Sequence, residues 1–255
     1  MNQIDKRKLL QTLNDISPKK ILVVGDLMLD QYIWGNVQRI SPEGPIPVLH
    51  VQKEEFRLGG AANTALNIQN LDCTAIPVGI VGNDHSGEKL VQIFEDENVP
   101  TEGILRVDSF QTIVKQRAIT EQQQLLRIDY ETTLLDDEVI TNKLWNTIEV
   151  MIEDVQCIVL SDYVKGVLSE NLTRKVINLA NELKIPIVCD PGKGIEINRY
   201  KGITSIKPNR LETENATGIK LDKREQILKA AEKLKNDCEA EFVTVSLDKD
   251  GILFY

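Results

Sequence analysis

The feature that most restricts the fold of this chain is the alternation of helical patterns with short apolar runs in its second half. One helical pattern covers residues 137–151, and another runs from Ser169, a good N-cap residue, to Leu183. Each leads into an apolar run of strand length, Cys157–Leu160 and Ile187–Cys189. Because strands joined through helices pair in parallel, this order predicts an α/β fold whose mostly parallel sheet has helices on both faces.

The same rhythm extends toward both ends of the chain. Lys19–Val24 is a short apolar run that ends at Gly25-Asp26, the profile of a buried parallel strand. Asp222 and Glu225 have the spacing of a capping box for a helix that continues through Lys235. The remaining predicted elements are the strands Thr74–Val81, Ile203–Ile206, Phe242–Ser246 and Ile252–Tyr255, a helix over Ser86–Glu95 and a short helix closing at Gly218.

Two β-rich insertions break this rhythm. The stretch from Tyr32 to Arg57 contains the rigid, turn-rich segment Ser41–Pro47 and then a short strand at Val48–Val51. A second β patch consists of Ile104–Val107, Thr112–Thr120 and Gln123–Ile128, with a turn near Glu121-Gln122. We expect the two insertions, at approximately 33–58 and 104–130, to form a small β lid over a site. The rest of residues 1–255 is expected to form one domain with it.

Composition narrows the classes of partner. The 255 residues carry a formal charge of −9, which argues against general binding to nucleic acid or to anionic membranes, so an anionic substrate would need local positive charge. No apolar run reaches transmembrane length, and no signal-peptide core follows the polar start Met1–Lys8. The cysteines are scattered without a C-x-x-C pair, which favours free thiols. These features predict a cytoplasmic protein.

The run Leu58–Asn67 places two glycines directly before a helix of small residues. Glycine carries no side chain, so a ligand can lie against the bare backbone, and the first N–H groups of the helix would point at it. Asn63 and Asn67 are one turn apart and can present amides on one face. The alternative is an ordinary loop that enters a tightly packed helix, and the run alone supports both interpretations equally.

Polar residues recur where the predicted strands end. Ligands of open α/β sheets gather at the carboxyl ends of the strands, so these residues are candidates for a binding site. Asp26 and Asp30 could receive sugar hydroxyls or make turn hydrogen bonds, with Asp30 the better candidate for a ligand. Each of the others could be a cap or a turn former, and their recurrence is the informative part. They are Ser161-Asp162, Asp190-Pro191 and Lys207-Pro208-Asn209.

Three cations alternate within the second β patch. Lys115, Arg117 and Arg127 could lie on one face of the small sheet and meet a phosphate there. A solvated strand face is the alternative for any one of them. Together the three favour the functional interpretation.

Asn209 and Glu212 also have two interpretations. Their N-x-x-E spacing is that of a capping box, which needs no ligand. An amide and a carboxylate one turn apart can also hold the water molecules of a hydrated Mg²⁺ near phosphates, because magnesium takes few direct protein ligands.

With these stretches in hand, the chain resembles the ribokinase-like (PfkB) family of carbohydrate kinases. More closely, it is similar to the heptose phosphate kinase domain of the bifunctional lipopolysaccharide-precursor enzymes. The matching stretches span nearly the whole chain in family order, and the S-P-E-x-P-x-P-V stretch is the most specific of them. They are Val24–Tyr32, Ser41–Val48, Leu58–Asn67, Leu125–Asp129, Ser161–Gly166, Asp190-Pro191, and Lys207-Pro208-Asn209 with Glu212.

The resemblance implies a three-layer sandwich with a small β lid, and ATP-dependent phosphorylation of a sugar phosphate with Mg²⁺. By analogy the acceptor is O1 of D-glycero-D-manno-heptose 7-phosphate, and the lid commonly serves as a homodimer interface. A kinase for another sugar or a nucleoside remains an alternative, as does a non-catalytic sugar- or nucleotide-binding protein.

The resemblance also implies site residues, position by position. Asp30, Gly59, Gly60 and Asn63 would hold sugar hydroxyls, with Lys115, Arg117 and Arg127 as further substrate contacts. Lys207, Asn209, Ser246 and Gly251 would approach the nucleotide, and Asn209 and Glu212 would order Mg²⁺ through water.

Three departures from the family pattern accompany these matches. Val164 replaces a usual glycine, and Asp190–Gly194 is one residue longer than the pattern. The second family signature, G-A-G-D, which supplies an anion hole and the general base, is missing, so the resemblance implies that this base lies beyond Tyr255. Loss of a general base typically costs ~10²–10⁴-fold in rate, and loss of an oxyanion-type donor about 10²–10³-fold. The chain as written is therefore expected to be C-terminally truncated and nearly inactive.

Overall fold

The computed structural model describes residues 5–14, 18–121, 123–134 and 137–255. The turn predicted near Glu121-Gln122 lies partly outside the described residues, because Gln122 is not among them, and the same holds for the first four residues of the polar start. Twelve strands and seven helices are present in the described part of the chain.

The strands are, in chain order, β1 Lys20–Gly25, β2 Leu27–Ile40, β3 Pro47–Gly60, β4 Thr74–Gly82, β5 Ile104–Val107, β6 Ile113–Ile119, β7 Gln124–Tyr130, β8 Cys157–Ser161, β9 Ile187–Asp190, β10 Ser205–Ile206, β11 Phe242–Ser246 and β12 Ile252–Phe254. The helices are α1 Lys6–Asn14, α2 Ala61–Gln69, α3 His85–Asp96, α4 Glu138–Met151, α5 Glu170–Leu183, α6 Arg210–Thr217 and α7 Arg224–Cys238. Two 3₁₀ turns lie at Ile197–Tyr200 and Asp248–Asp250.

Eight strands form the large sheet, in the order β12-β11-β10-β9-β8-β1-β4-β5. All neighbours pair in parallel except β11 and β12, the last two strands of the chain, which form an antiparallel hairpin. The mostly parallel sheet is thereby confirmed.

Helices cover both faces of this sheet, as the alternating pattern of β1 shows. Leu22 and Val24 belong to one hydrophobic cluster, which also contains buried residues of α4, α5 and α7. Val23 belongs to a second cluster, on the face covered by α2 and α3. All three side chains are fully buried, and each such burial is worth roughly 1.5–3 kcal/mol. The three-layer α/β architecture is confirmed.

The small sheet has the order β3-β2-β6-β7. Its β2 and β3 are 14 residues each and pair along almost their whole length, whereas the sequence predicted only a short strand at Val48–Val51. The rest of β3 carries no strand signal because its residues are largely charged and exposed. Ile104–Val107 was expected in this sheet, but as β5 it pairs with β4 at the edge of the large sheet. The sequence of that strand, three apolar residues and one arginine, fits either sheet, so it could not predict which sheet the strand joins.

The helices match their predictions with two differences. The sequence did not predict α1, and α7 begins after Lys223, one residue later than the predicted N-cap Asp222. The N–H of Lys223 donates to Gln226 Oε1 at 3.1 Å, so a glutamine rather than Glu225 closes the first turn. Within the described residues, no helix has both the length and the apolar character needed to cross a membrane.

Candidate functional site

Neighbouring strands of the large sheet deliver polar residues to one edge. Asp26 follows β1, Asp162 follows β8, Asp190 ends β9, Lys207 follows β10 and Ser246 ends β11. These five strands are consecutive in the sheet and parallel, so their carboxyl ends lie side by side. The structure therefore brings together residues that the sequence could only place one by one.

Asp30 lies at one end of this edge, near the start of β2, where the small sheet begins. Its Oδ1 accepts a hydrogen bond from Arg117 Nη1 at 2.7 Å, and each of the two side chains is 19% exposed. The Arg117 guanidinium also lies 5.2 Å from the centre of the Tyr32 ring. Burial alone would lower the pKa of Arg117, but the hydrogen bond to Asp30 and its charge hold that pKa above the ordinary value. Asp30 and Arg117 thus form a fixed, charged pair.

The three lid cations lie on one face of the small sheet. Lys115 lies opposite Asp30 and Arg117 lies opposite Tyr32 in the pairing of β6 with β2. Arg127 lies opposite Arg117 in the pairing of β7 with β6. Because directly opposed residues share a face of a sheet, all these side chains point to the same side. Their engagement differs. Arg127 is about half exposed and pairs with Asp129 at 2.8 Å, while Lys115 takes part in no ion pair among the described residues.

The glycine run forms the junction between β3 and α2. Gly60 has φ +57°, and a Cβ on Gly59 would lie 2.8 Å from Asp30 Oδ2. In the part of the chain that the structure describes, no side chain caps the helix that follows, and its Ala61 N–H donates to the carbonyl of Asp26 at 3.0 Å. Because Gly59 has no side chain, the Asp30 carboxylate can lie directly against its backbone.

The structure shows the tight packing that one interpretation of this run expects, and ligand binding at the run stays a prediction. Ala61, Ala62 and Ala65 are fully buried, as expected of a tightly packed helix. The start of that helix nevertheless lies beside Asp30, and the Asn63 side chain is exposed with no hydrogen bond among the described residues.

Asn209 and Glu212 form the capping box of α6. Asn209 Oδ1 accepts from the Glu212 N–H at 2.9 Å, and Glu212 Oε2 accepts from the Asn209 N–H at 2.8 Å. The structural interpretation is thus realised, and it leaves Glu212 Oε1 and the Asn209 amide group able to contact ordered water. This donor set fits an outer-sphere Mg²⁺, which needs no direct ligand. The described residues hold no cluster of three or more metal-ligating side chains.

Of the other residues expected near the nucleotide, Lys207 and Ser246 lie close to Asn209, and Gly251 lies in a turn. Lys207 Nζ pairs with Asp190 Oδ1 at 3.1 Å, and Ser246 forms a bridge to Asn209 while its N–H donates to the carbonyl of Pro208 at 3.1 Å. These residues therefore line one end of the sheet edge. Gly251 instead has φ +97° in the turn before β12, where its carbonyl accepts from the Leu247 N–H.

Asp26 has a structural role in this arrangement. Its side chain is 1% exposed and accepts N–H groups from Tyr163 at 2.9 Å, Lys165 at 3.1 Å and Val167 at 3.1 Å. Burial raises the pKa of Asp26 to about 6, although the three N–H groups favour the charged form. Asp26 fixes the loop after β8 and is not free to bind a ligand.

Sequence reasoning missed Tyr200. This residue is fully buried, and its hydroxyl donates to Asp162 Oδ2 at 2.7 Å while it accepts from the Gly192 N–H at 3.2 Å. It ties together the segments that follow β8 and β9. A tyrosine in the polar stretch around Ile197–Tyr200 carries no signal of such a role.

A surface groove of about 720 Å³ lies elsewhere, between the first turns of α4 and α5. It is lined by Glu138, Arg174 and neighbouring polar residues, and none of the residues singled out for binding contributes to it. The strand-end edge remains the candidate site because the charged groups singled out from the sequence converge there.

Comparison with known proteins identifies the family of the chain. The profile of the family described as pfkB family carbohydrate kinase matches residues 18–255. The bifunctional protein HldE of Magnetococcus marinus is 43% identical over 237 residues, which cover 92% of this chain and 48% of that protein. The bifunctional protein HldE of Helicobacter hepaticus is 39% identical over 240 residues, covering 94% and 49%. The chain spans about half the length of the curated relatives it matches.

Solved structures share the fold at lower identity. Phosphofructokinase-2 from Escherichia coli in complex with fructose-6-phosphate has a TM-score of 0.71 and 23% identity, covering 94% of this chain and 77% of that one. Arabidopsis thaliana ribokinase complexed with ribose and ATP has a TM-score of 0.70 and 18% identity, covering 94% and 75%. These likenesses show a ribokinase-like fold.

Proposed function

The chain belongs to the pfkB family of carbohydrate kinases, and we propose that it phosphorylates O1 of D-glycero-D-manno-heptose 7-phosphate with ATP, a step toward the lipopolysaccharide core. The observation that carries the proposal is the meeting of Asp30, Lys115 and Arg117 on one face of the small sheet. A carboxylate suits sugar hydroxyls, and the two cations suit a phosphate.

The charge distribution favours a phosphorylated acceptor over a neutral sugar. The chain has a formal charge of −9, so an anion reaches the site only where cations are concentrated. Lys115, which has no ion-pair partner among the described residues, and the remaining N–H groups of Arg117 provide that concentration beside Asp30.

The heptose assignment rests on sequence similarity. The S-P-E-G-P-I-P-V stretch, which forms the turn between β2 and β3 and the start of β3, resembles the heptose phosphate kinase subgroup. The relatives at about 40% identity are bifunctional proteins named HldE.

Lys207, Asn209, Glu212 and Ser246 are proposed to receive ATP at the other end of the edge. Bound Mg²⁺ would neutralise charge on the phosphoryl group during transfer. The part of the chain near these residues contributes positioning, since Asn209 and Glu212 are held rigidly by their capping box. Closure of the small sheet over both substrates would exclude water, which otherwise competes as acceptor.

We also propose that these 255 residues alone bind their substrates but turn over slowly. The sequence contains no G-A-G-D, and the strand-end carboxylates of Asp162 and Asp190 are already engaged, Asp162 with Tyr200 and Asp190 with Lys207. Loss of a general base costs about 10²–10⁴-fold in rate. Because ATP is a cytoplasmic donor, we place the reaction in the cytoplasm.

Calorimetry tests the proposal directly. We expect the chain to bind heptose 7-phosphate at least about tenfold more tightly than the unphosphorylated heptose, a difference of about 1.4 kcal/mol. Lys115→Gln should remove most of that preference, because it deletes a cation that forms no ion pair among the described residues. The matched control is Lys53→Gln, on the same sheet, whose ammonium is 65% exposed and paired with Glu55. Equal affinity for both sugars, or tighter binding of a nucleoside, would refute the proposal.

The outer face of the small sheet is proposed as the interface of a homodimer. Leu126, Ile128 and Tyr130 alternate along β7 on the face opposite Arg127, and they are 56%, 39% and 43% exposed. An apolar stripe on an edge strand favours pairing with a second copy.

A further inference from the structure

The loop of residues 162–167 occupies the middle of the strand-end edge. It follows β8, which lies between β1 and β9 in the large sheet, so it stands between the acceptor end at Asp30 and the nucleotide end at Asn209. Tyr163 in this loop is 41% exposed. None of the roles assigned so far uses its side chain.

The backbone of this loop is held by hydrogen bonds to two carboxylates. Asp26 accepts the N–H groups of Tyr163 and Lys165 on one oxygen and that of Val167 on the other. Asp162 Oδ1 accepts the N–H of Val164 at 2.8 Å. Four N–H groups of a six-residue loop are thus bound by two buried carboxylates, which fix the backbone that carries Tyr163.

This fixed conformation carries a cost in stability. Val164 has φ +60°, in the left-handed region, where an L residue loses roughly 1–2 kcal/mol and a β-branched one is rare. The buried Asp26 adds a desolvation cost of its own. Strain of this kind persists where surrounding contacts over-determine it, and it concentrates at ligand sites.

Charged groups from both ends of the site lie near the Tyr163 side chain. Lys115 of the small sheet holds its ammonium 6.0 Å from the centre of the Tyr163 ring, so the ring faces the acceptor end. Burial raises the pKa of the Tyr163 phenol, and the carboxylates of Asp190, Asp30 and Glu212 raise it further. The phenol is therefore protonated near neutral pH and is a hydrogen-bond donor.

We propose that Tyr163 binds the acceptor and determines specificity for a sugar phosphate. Its ring forms the wall of the acceptor subsite opposite Asp30 and packs against carbon-bound hydrogens of the sugar, while its hydroxyl donates to a substrate oxygen. The same ring keeps the Lys115 ammonium directed at the substrate phosphate. This inference rests on the proposed function, because it takes the acceptor to lie between Asp30 and the strand-end loop.

Calorimetry on Tyr163→Ala and Tyr163→Phe tests the inference, with heptose 7-phosphate and a non-hydrolysable ATP analogue as probes. Tyr163→Ala should weaken sugar-phosphate binding by about tenfold or more and leave binding of the nucleotide within about twofold. Tyr163→Phe keeps the ring and should lose about threefold for the sugar phosphate alone. The matched control is Tyr255→Ala, since Tyr255 is 39% exposed and lies beyond β12, at the far edge of the large sheet.

The outcomes separate the two proposals. If the unsubstituted chain does not bind heptose 7-phosphate, the proposed function fails and this inference fails with it. If it binds and Tyr163→Ala binds equally well, only the inference is refuted. Equal weakening for both ligands would also refute it, because it would mean that the substitution disorders the edge as a whole. Thermal unfolding of each variant checks that the fold is retained.

Discussion

The buried carboxylate of Asp26 accepts hydrogen bonds from the backbone of the protein. An aspartate at the end of a parallel strand is, from the sequence, a candidate for binding a ligand, and Asp30, four residues later, remains such a candidate. Asp26 differs because its oxygens are occupied by three N–H groups from a loop more than 130 residues away. At the scale of single residues, position along a strand does not separate the two roles, whereas burial does.

Stability should depend on pH through Asp26. Its pKa in the folded protein is about 6, above the ordinary 3.8, so the folded state binds the proton more tightly than the unfolded chain. The stability contributed by this group is therefore complete below about pH 4 and is lost as the pH rises to about 6. Relative to Asp26→Asn, the free energy of unfolding should fall by on the order of 2–3 kcal/mol between pH 4 and pH 7.

Urea denaturation at pH 4, 5, 6 and 7 measures this difference. The control is Asp154→Asn, because the Asp154 side chain is 75% exposed and should give a difference that hardly varies with pH. A difference between the unsubstituted chain and Asp26→Asn that stays constant over this range would show that Asp26 does not titrate there.

At the scale of elements, the junction of β3 and α2 depends on a backbone conformation that only glycine adopts readily. Gly60 combines φ +57° with a close approach: a Cβ there would lie 2.5 Å from the carbonyl oxygen of Asp26. The turn from strand to helix sets where the first helical N–H groups stand relative to Asp30. The junction therefore couples local conformation to the geometry of the site.

Gly60→Ala should destabilise the protein by about 2–4 kcal/mol, since it adds left-handed strain of roughly 1–2 kcal/mol to a clash with backbone. Gly194→Ala is the matched control. Gly194 has φ +79°, but a methyl group added there would meet no atom within 4 Å, so it should lose only the conformational part, about 1–2 kcal/mol. Denaturant unfolding of both variants measures the difference. An equal loss of unfolding free energy in the two variants would show that the clash between the added methyl group and the Asp26 carbonyl is relieved without cost.

At the scale of the whole molecule, the small sheet has two chemically different faces. One carries the charged residues that line the candidate site, and the other exposes the apolar stripe of β7. The two faces follow from the alternation of side chains along a strand, so a closed site and an interface can be built from the same strands.

The double substitution Leu126→Lys, Ile128→Lys should convert a dimer into a monomer, because two charges would have to be buried in the interface. Light scattering after gel filtration, at protein concentrations from about 1 to 100 μM, measures the mass. Val139→Lys is the control, since Val139 on α4 is 63% exposed and lies outside the small sheet. A monomer at every concentration for the unsubstituted chain would rule out the proposed interface.

Much of the large sheet and its helices was predictable from the sequence. Apolar runs such as Cys157–Leu160, the cap at Ser169 and the box of Asn209 and Glu212 all correspond to observed elements. The long β3 and the assignment of β5 were not predictable, because exposed charged residues and short apolar runs carry no signal of their strand partners.

The sequence by itself determined most helices and strands of the large sheet, because caps, turns and apolar periodicity depend on residues within a few positions of one another. Tertiary structure alone decided which polar groups meet. Arg117 reaches Asp30 across 87 positions, and Tyr163 reaches Asp26 across 137. Contacts at such separations depend on strand order and register, which no local pattern encodes. The physical reason is that side-chain chemistry is set locally, whereas burial and charge pairing arise only when the packed sheet brings distant residues together.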